Sequence, residues 1–372
     1  MRLAVFTHVI HKKYKDDYYA YSPYVREINL WIKNADKVDI LAPLIEDHTP
    51  EKELKYIHRD LNFHSLPAFN LLSFSTVFKS IFIIPVIFLK VILAMRQADH
   101  FHIRCPGNIG LIACIAQVFF PQKPKSVKYA GNWDHKANQP WTYNLQKWIL
   151  KNRILSNNIK VLVYGNWGSP NRNIQPFYTA SFSEKDKAET LKDYSFPFEF
   201  IYVGNLVRGK GVFQCIDLVE EIKNMGFPCH LKIFGDGMLK DELEEYILKK
   251  DLCETVSLMG RKDINDLKVA YKAAHFVILL SKSEGWPKAL AEGMWYGAIP
   301  ISTRVSCVPW MLGNGKRGLL IDGENISLDV TLNKIKYLLR HPETMREMSR
   351  NSINWAQRFT LKKFERDIKK FL

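Results

Sequence analysis

A series of short apolar runs, separated by helical patterns, constrains this chain more than any other feature. In the first half they are Leu3–Phe6, Val38–Leu41, His102–Arg104, Val127–Tyr129 and Val161–Val163. In the second half they are Phe200–Val203, His230–Phe234, Val256–Leu258, Phe276–Leu280, Ile299–Ser302 and Leu319–Ile321. Runs this short and this apolar suit strands buried on both faces, so the sequence predicts parallel sheets covered by helices. A chain of 372 residues is too long for one ordinary core. The boundary is expected within Gln175–Glu199, which holds Pro176, a charged run from Glu184 to Glu189, and Pro197 before the next strand. We therefore expect a first domain over residues 1–185 and a second over 186–350. The segment 351–372 is expected as helices packing on the body, with a return to the first domain as one option.

Composition narrows the class. With 47% hydrophobic and 24% charged residues the chain reads as globular, not disordered or fibrous. Its six cysteines include no Cys-x-x-Cys pair, which suits buried free thiols better than a disulfide framework. Nothing near Met1 resembles a signal peptide, so a cytoplasmic protein is expected. The net charge is +15, and residues 61–160 carry twelve Lys/Arg against only Asp99 and Asp134. Such a block attracts nucleic acid, anionic lipid or a phosphorylated substrate. The segment shows no zinc spacing and no nucleic-acid module, so no nucleic-acid partner is expected. Phe74 to Met95 interleaves aromatic and aliphatic residues with Lys79 and Lys90, and its longest apolar run, Ile81–Leu89, contains Pro85. That is too short to span a bilayer. A helix resting in an anionic membrane surface fits it, and so does a core helix of the first domain.

Chemistry concentrates in the second half. After the run ending at Leu280 come Ser283, Glu284, Gly285, Trp286, Pro287 and Lys288, then a helical stretch carrying Glu292. A strand, a glycine turn and a helix N-terminus make an anion site, because free backbone N–H groups point out of the first turn. Lys288 in that turn opposes the helix dipole by ~0.3–1 kcal/mol, a penalty that a bound anion reverses. Carboxylates suit hydroxyls, so Glu284 and Glu292 beside an anion site point to a nucleotide sugar. Three further loops follow strands. The first holds Gly204, Asn205, Arg208, Gly209, Lys210 and Gly211, where glycines permit close approach and cations neutralise a diphosphate. The second holds Gly235 and Gly237 but has Lys240 where a dinucleotide fingerprint needs its third glycine, which argues against a hydride-transferring enzyme. The third is Gly260, Arg261 and Lys262, placed to hold a base.

Together these pieces resemble the retaining glycosyltransferases of family 4, most strongly from Phe200 to Asp322. The shared elements are Gly209-Lys210-Gly211, Gly235-Asp236-Gly237, Glu284 and Glu292 with Gly285 and Pro287 between, Gly297 to Pro300, and Pro309. The resemblance implies the GT-B fold, two Rossmann-like α/β domains with parallel sheets facing a central cleft. It implies a donor site in which Lys210 holds the diphosphate, Glu284 contacts the sugar hydroxyls, the backbone of Gly285 and Trp286 lies near the phosphates, and Glu292 binds the ribose. It also implies retention of anomeric configuration with no bound metal and no other cofactor. Trp286, Trp295 and the stretch Ser306 to Trp310 resemble bacterial members that build surface polysaccharide or lipopolysaccharide. The expected function is thus sugar transfer to a glycan or lipid-linked acceptor, cytoplasmic or peripheral on the inner face of the membrane. A nucleotide-sugar epimerase of the same fold and a non-catalytic degenerate transferase are the alternatives.

The chain departs from the family pattern in places. Asn205 stands where arginine is common, with Arg208 available as a substitute, and Ser306-Cys307 replaces a Gly-Gly pair. Thr7 to Lys13 replaces the glycine-rich loop of the first domain. Acceptor candidates there are His8, His11, Arg104, Asn132 and Trp133, with Trp141 as a second flat ring face. Asp134 or His135 is a candidate to take the acceptor proton.

Overall fold

The computed structural model describes residues 1–45, 53–67, 74–168, 171–187, 192–322 and 328–372. The side chains of residues 74–81, Lys79 among them, and Glu189 at the end of the charged run lie outside the described set. The chain divides into two compact units, Met1–Tyr178 with Lys363–Leu372, and Thr179–Lys362.

Unit one is built on strands β1 (Arg2–Phe6), β2 (His11–Tyr14), β3 (Asp17–Tyr21), β4 (Lys37–Ile45), β5 (Glu53–Lys55), β6 (Leu61–Leu66), β7 (His100–Cys105), β8 (Lys125–Tyr129), β9 (Ile159–Tyr164) and β10 (Ile174–Phe177). Their order is β10-β9-β8-β7-β1-β4-β2-β3-β5, with β6 paired to β4. The body is parallel, and only β3 runs antiparallel to its neighbours. Every apolar run named from the sequence forms a strand. The polar β2 and β3 were not legible, because they form a half-exposed hairpin at the sheet edge that turns at Lys15 with φ 53.

Three helices cover one face of this sheet: α1 (Ser22–Ile32) lies elsewhere, and α2 (Phe74–Gln97), α3 (Asn108–Ala116) and α4 (Trp141–Lys151) supply the layer. Ile87, Val91 and Met95, spaced at four residues along α2, pack with Phe101, Ile103, Val127 and Val161 of the strands. Helix α2 ends where Lys123 Nζ donates to the carbonyls of Met95, Arg96 and Ala98, satisfying acceptors that the last turn leaves open. Among the described residues no helix is long and apolar enough to cross a membrane. The last residues of the chain belong to this unit. Lys128 is fully buried, donates to Tyr178 O at 2.9 Å, sits 3.3 Å from Glu27 Oε1, and lies under the rings of Phe177 and Phe364. A buried ammonium is tolerable only with such partners.

Unit two is a six-stranded sheet, β11 (Phe198–Val203), β12 (Cys229–Phe234), β13 (Val256–Gly260), β14 (Phe276–Leu279), β15 (Ile299–Thr303) and β16 (Leu319–Ile321). All pairs are parallel, in the order β13-β12-β11-β14-β15-β16. That is the doubly wound arrangement, in which the winding reverses between β11 and β14. Its helices include α5 (Val212–Asn224), α6 (Lys240–Lys249), α7 (Ile264–Ala273), α8 (Lys288–Trp295), α9 (Val308–Met311), α10 (Leu328–Leu339) and α11 (Pro342–Ala356), before α12 (Leu361–Ile368).

Candidate functional site

In a doubly wound sheet, ligands sit outside the carboxyl ends of the strands where the winding reverses. In unit two this place lies beyond Val203 of β11 and Leu279 of β14, and the sequence motifs arrive there from both sides. The loops interlock through glycines. A Cβ on Gly235 would fall 1.8 Å from Gly204 O, and one on Gly211, at φ +68, would fall 2.0 Å from Leu280 O. No side chain fits, so these positions need glycine for contact as well as for backbone angle. Gly204 N–H donates to Phe234 O, Leu206 N–H to Asp236 O and Lys282 N–H to Gly209 O. The three loops therefore form one hydrogen-bonded rim.

On that rim Lys210 Nζ donates to Glu284 Oε1 at 2.7 Å. The Glu284 side chain is 6% exposed and that of Lys210 is 30% exposed. Glu284 Oε2 accepts no hydrogen bond from a described residue. One oxygen is thus occupied by a cation and the other is open to a hydroxyl donor. Behind the carboxylate, Cys307 Sγ donates to Gly285 O at 3.0 Å, and burial beside Glu284 pushes the Cys307 thiol up, keeping it protonated. Helix α8 starts after Pro287 without a side-chain cap and without an acidic residue in its first turn. Such a start, with leading N–H groups and a positive dipole end, suits an anion.

Glu292 is brought in differently. Its Oε1 accepts from Ser181 Oγ at 2.6 Å and its Oε2 from Tyr271 OH at 3.1 Å. Tyr271 is fully buried, and burial with the adjacent carboxylate holds its phenol well above the ordinary range. Glu292 therefore ties α8 to α7 and to Ser181. Sequence reasoning missed Ser181 and Tyr271, since neither lies in a recognisable motif.

Other candidates are placed less directly. Arg208 is exposed and donates through Nη2 to both oxygens of Glu242, not to Glu284. Asn205 and Arg261 are exposed, and Gly237 packs against Leu206 O. Trp286 turns its ring inward, stacked on Trp355 at 6.0 Å and near Trp310 and Phe359, so only its backbone is available at the rim. Pro287 is buried and Lys288 half-buried.

In unit one the winding reverses between β1 and β7, and His8 and Arg104 lie near the ends of those strands. His8 is exposed and lines Gly107, where a Cβ would meet Nδ1 at 2.4 Å. Arg104 lies over the Tyr24 ring and 4.0 Å from Glu27. Asn132 Oδ1 accepts from Asp134 N–H, which closes a local turn, and Asp134 Oδ1 accepts from Lys136 N–H. His135 is exposed, with Nδ1 3.8 Å from Asp134. Trp133 is buried in the core against Tyr129, so it offers no face to a sugar, whereas Trp141 is exposed. His11 is buried between Val9 O and the Tyr56 hydroxyl. Among the described residues no cluster of three or more His, Cys, Asp or Glu is arranged to hold a metal.

Comparison with known proteins agrees with this geometry. Residues 183–355 match the family model described as Glycosyl transferases group 1. An uncharacterized glycosyltransferase of Methanocaldococcus jannaschii is 28% identical over 48% of this chain and 48% of its own length. The N-acetylgalactosamine-N,N'-diacetylbacillosaminyl-diphospho-undecaprenol 4-alpha-N-acetylgalactosaminyltransferase of Campylobacter jejuni is 28% identical over 52% of each chain. The chain thus spans about half the length of these curated relatives. The crystal structure of Anabaena HepE in complex with UDP superposes with a TM-score of 0.67 at 14% identity, covering 100% of this chain and 99% of that one. The chain has the GT-B fold, two Rossmann-like α/β units, and its segment 183–355 is similar to the group 1 glycosyl transferases.

Proposed function

We propose that this protein is a retaining glycosyltransferase that moves a sugar from a nucleotide-sugar donor to a glycan or lipid-linked acceptor, in surface polysaccharide or lipopolysaccharide synthesis. The observation that carries the reading is the 2.7 Å Lys210–Glu284 pair on the glycine rim, beside the uncapped start of α8. The UDP named for the Anabaena structure and the diphospho-undecaprenol named for the Campylobacter relative support the donor and acceptor classes.

In this reading the donor diphosphate takes Lys210 Nζ and the first N–H groups of α8, and Glu284 turns to the sugar hydroxyls. Glu292, held by Ser181 and Tyr271, meets the ribose hydroxyls. As the glycosidic bond to the diphosphate breaks, negative charge grows where Lys210 and the helix end already point, so stabilisation is greatest in the transition state. The acceptor hydroxyl attacks from the face the diphosphate leaves, and its proton passes to that departing phosphate. Retention follows from same-face replacement. Because an ammonium and a helix end neutralise the leaving group, we expect turnover without an added divalent metal. His8 and Arg104 are our acceptor-side candidates in unit one, and the reaction is assigned to the inner membrane face.

The test is a panel of nucleotide sugars assayed for turnover in the presence of a chelator, with Lys210→Ala as control. Turnover of one donor, lost in the variant, supports the reading. Equal turnover by Lys210→Ala would contradict it.

A further inference from the structure

The layer formed by α2, α3 and α4 has a second face, and the donor site makes no use of it. The inward stripe of α2 enters the core, but Phe82, Val86, Leu89 and Leu93 follow one another along the opposite side and are exposed. Helix α3, apolar after Asn108, is buried from Ile109 onward apart from Ile115, and Phe119 just beyond it is 67% exposed against Phe88. Helix α4 adds Trp141 and Trp148, seven residues apart on one face and 68% and 58% exposed, and Ile154 follows at 87%. Single exposed apolar residues are ordinary, but a continuous set with two tryptophans is the mark of a binding surface.

Its charge is equally one-sided. Between residues 74 and 160 the only acids are Asp99 and Asp134, and each accepts a backbone N–H, from Arg2 and Lys136 respectively. At the carboxyl end of α4 a cavity of about 300 Å³ is lined by Arg153, Lys160 and Arg172 with Asn157, Asn158 and Asn173, and no carboxylate lines it. Apolar side chains, tryptophans and a cationic rim together match an anionic bilayer: acyl chains for the first, the headgroup boundary for the second, phosphates for the third. A protein partner would need complementary shape and acidic groups, and nothing in a flat apolar stripe selects one.

We propose that the outer face of the α2–α4 layer docks on an anionic lipid bilayer, with the Arg153–Lys160–Arg172 cavity seating a headgroup phosphate. The proposal rests on the reading that the enzyme works at a membrane surface, and it names the surface that does so. The exposed Trp141 and Trp148 set the depth, and the cations set the preference for acidic lipid.

The experiment is flotation of the full chain with phosphatidylcholine vesicles, with and without phosphatidylglycerol, alongside nucleoside-diphosphate binding to the same samples. Wild type should float only with the anionic vesicles. Leu89→Glu and Trp148→Glu, both at exposed positions, should abolish flotation while binding nucleotide normally. The Arg153→Ala, Lys160→Ala, Arg172→Ala triple variant should bind anionic vesicles about a hundredfold more weakly, from about fivefold per cation. Brominated lipid should quench wild-type tryptophan fluorescence, and less so in Trp148→Ala. Failure of wild type to float, or flotation unchanged in all variants, overturns the proposal. A wild-type dimer that Trp148→Glu dissolves, without flotation, also overturns it and assigns the face to a second copy. Flotation without nucleotide binding would leave this surface standing and remove the transferase reading instead.

Discussion

Lys210 and Glu284 hold each other before any donor arrives, and this has a consequence that a simple phosphate-binding lysine lacks. In the proposed donor site a nucleoside diphosphate must compete with Glu284 for the ammonium. Lys210→Ala removes a charge-assisted contact of ~1.5–3 kcal/mol, so it should weaken nucleoside-diphosphate binding by about 10- to 150-fold. The same change leaves a carboxylate that is 6% exposed without its cation. Breaking a fully buried pair costs ~3–5 kcal/mol. Because Lys210 is 30% exposed and water reaches it, we expect a smaller loss of fold stability, ~1–3 kcal/mol. Glu284→Gln acts with the opposite sign on the nucleotide. It frees Lys210, and if the competing pair is worth ~1 kcal/mol, UDP without sugar should bind about fivefold more tightly. Transfer from the nucleotide sugar should nonetheless fall, since the proposed donor site uses this carboxylate to accept the sugar hydroxyls. Isothermal titration of both variants with UDP, GDP and ADP, beside thermal melts, reads both effects. If Glu284→Gln weakens the best nucleotide as much as Lys210→Ala does, the competition argument is wrong.

Other consequences follow from the same structure. Gly211→Ala forces a Cβ to 2.0 Å from Leu280 O at φ +68, so it should destabilise unit two by several kcal/mol and abolish nucleotide binding; a variant that melts and binds normally would mean the rim is loose. Tyr271→Phe removes one donor from buried Glu292, an expected loss of ~1.5–3 kcal/mol in a denaturant titration, and weaker donor binding if Glu292 orients the ribose. In unit one, burial lowers His11 and His100 to about 4 and His102 to about 3. The unfolded chain binds protons at these sites near pH 6.5, before the folded one, so stability should be intact above pH 6.5 and fall as pH drops toward 4. Acid unfolding followed through unit-one peptides should show this, and His102→Gln should flatten the slope.

The sequence was most legible where chemistry and topology share one constraint. Each short apolar run became a parallel strand, largely buried except at the edge strand β13, because a strand covered on both faces leaves little choice of side chain. The glycines of the rim were visible for a related reason, as Gly211 and Gly235 touch backbone atoms that exclude any Cβ. Pairing partners were not visible. Nothing near Arg208 in the chain announces Glu242, and nothing near Glu292 announces Ser181, since these contacts are made by folding. Aromatic residues were harder to place: Trp133, a candidate ring face for a sugar, packs inward, while Trp148 is exposed. Exposure depends on which helix face meets the sheet, and in α4 Ile149 and Leu150 enter the core while Trp141 and Trp148 stay exposed.

The claim that matters most is that the strand ends of unit two hold a nucleotide diphosphate between Lys210 and the start of α8. Amide hydrogen exchange of the full chain, with and without UDP, addresses it at the level of individual peptides. Protection should concentrate in peptides covering Gly204–Gly211, Gly235–Gly237 and Ser281–Leu290, and should vanish in Lys210→Ala. Saturating nucleotide that leaves those amides unprotected, or protects another part of unit two instead, would contradict the account.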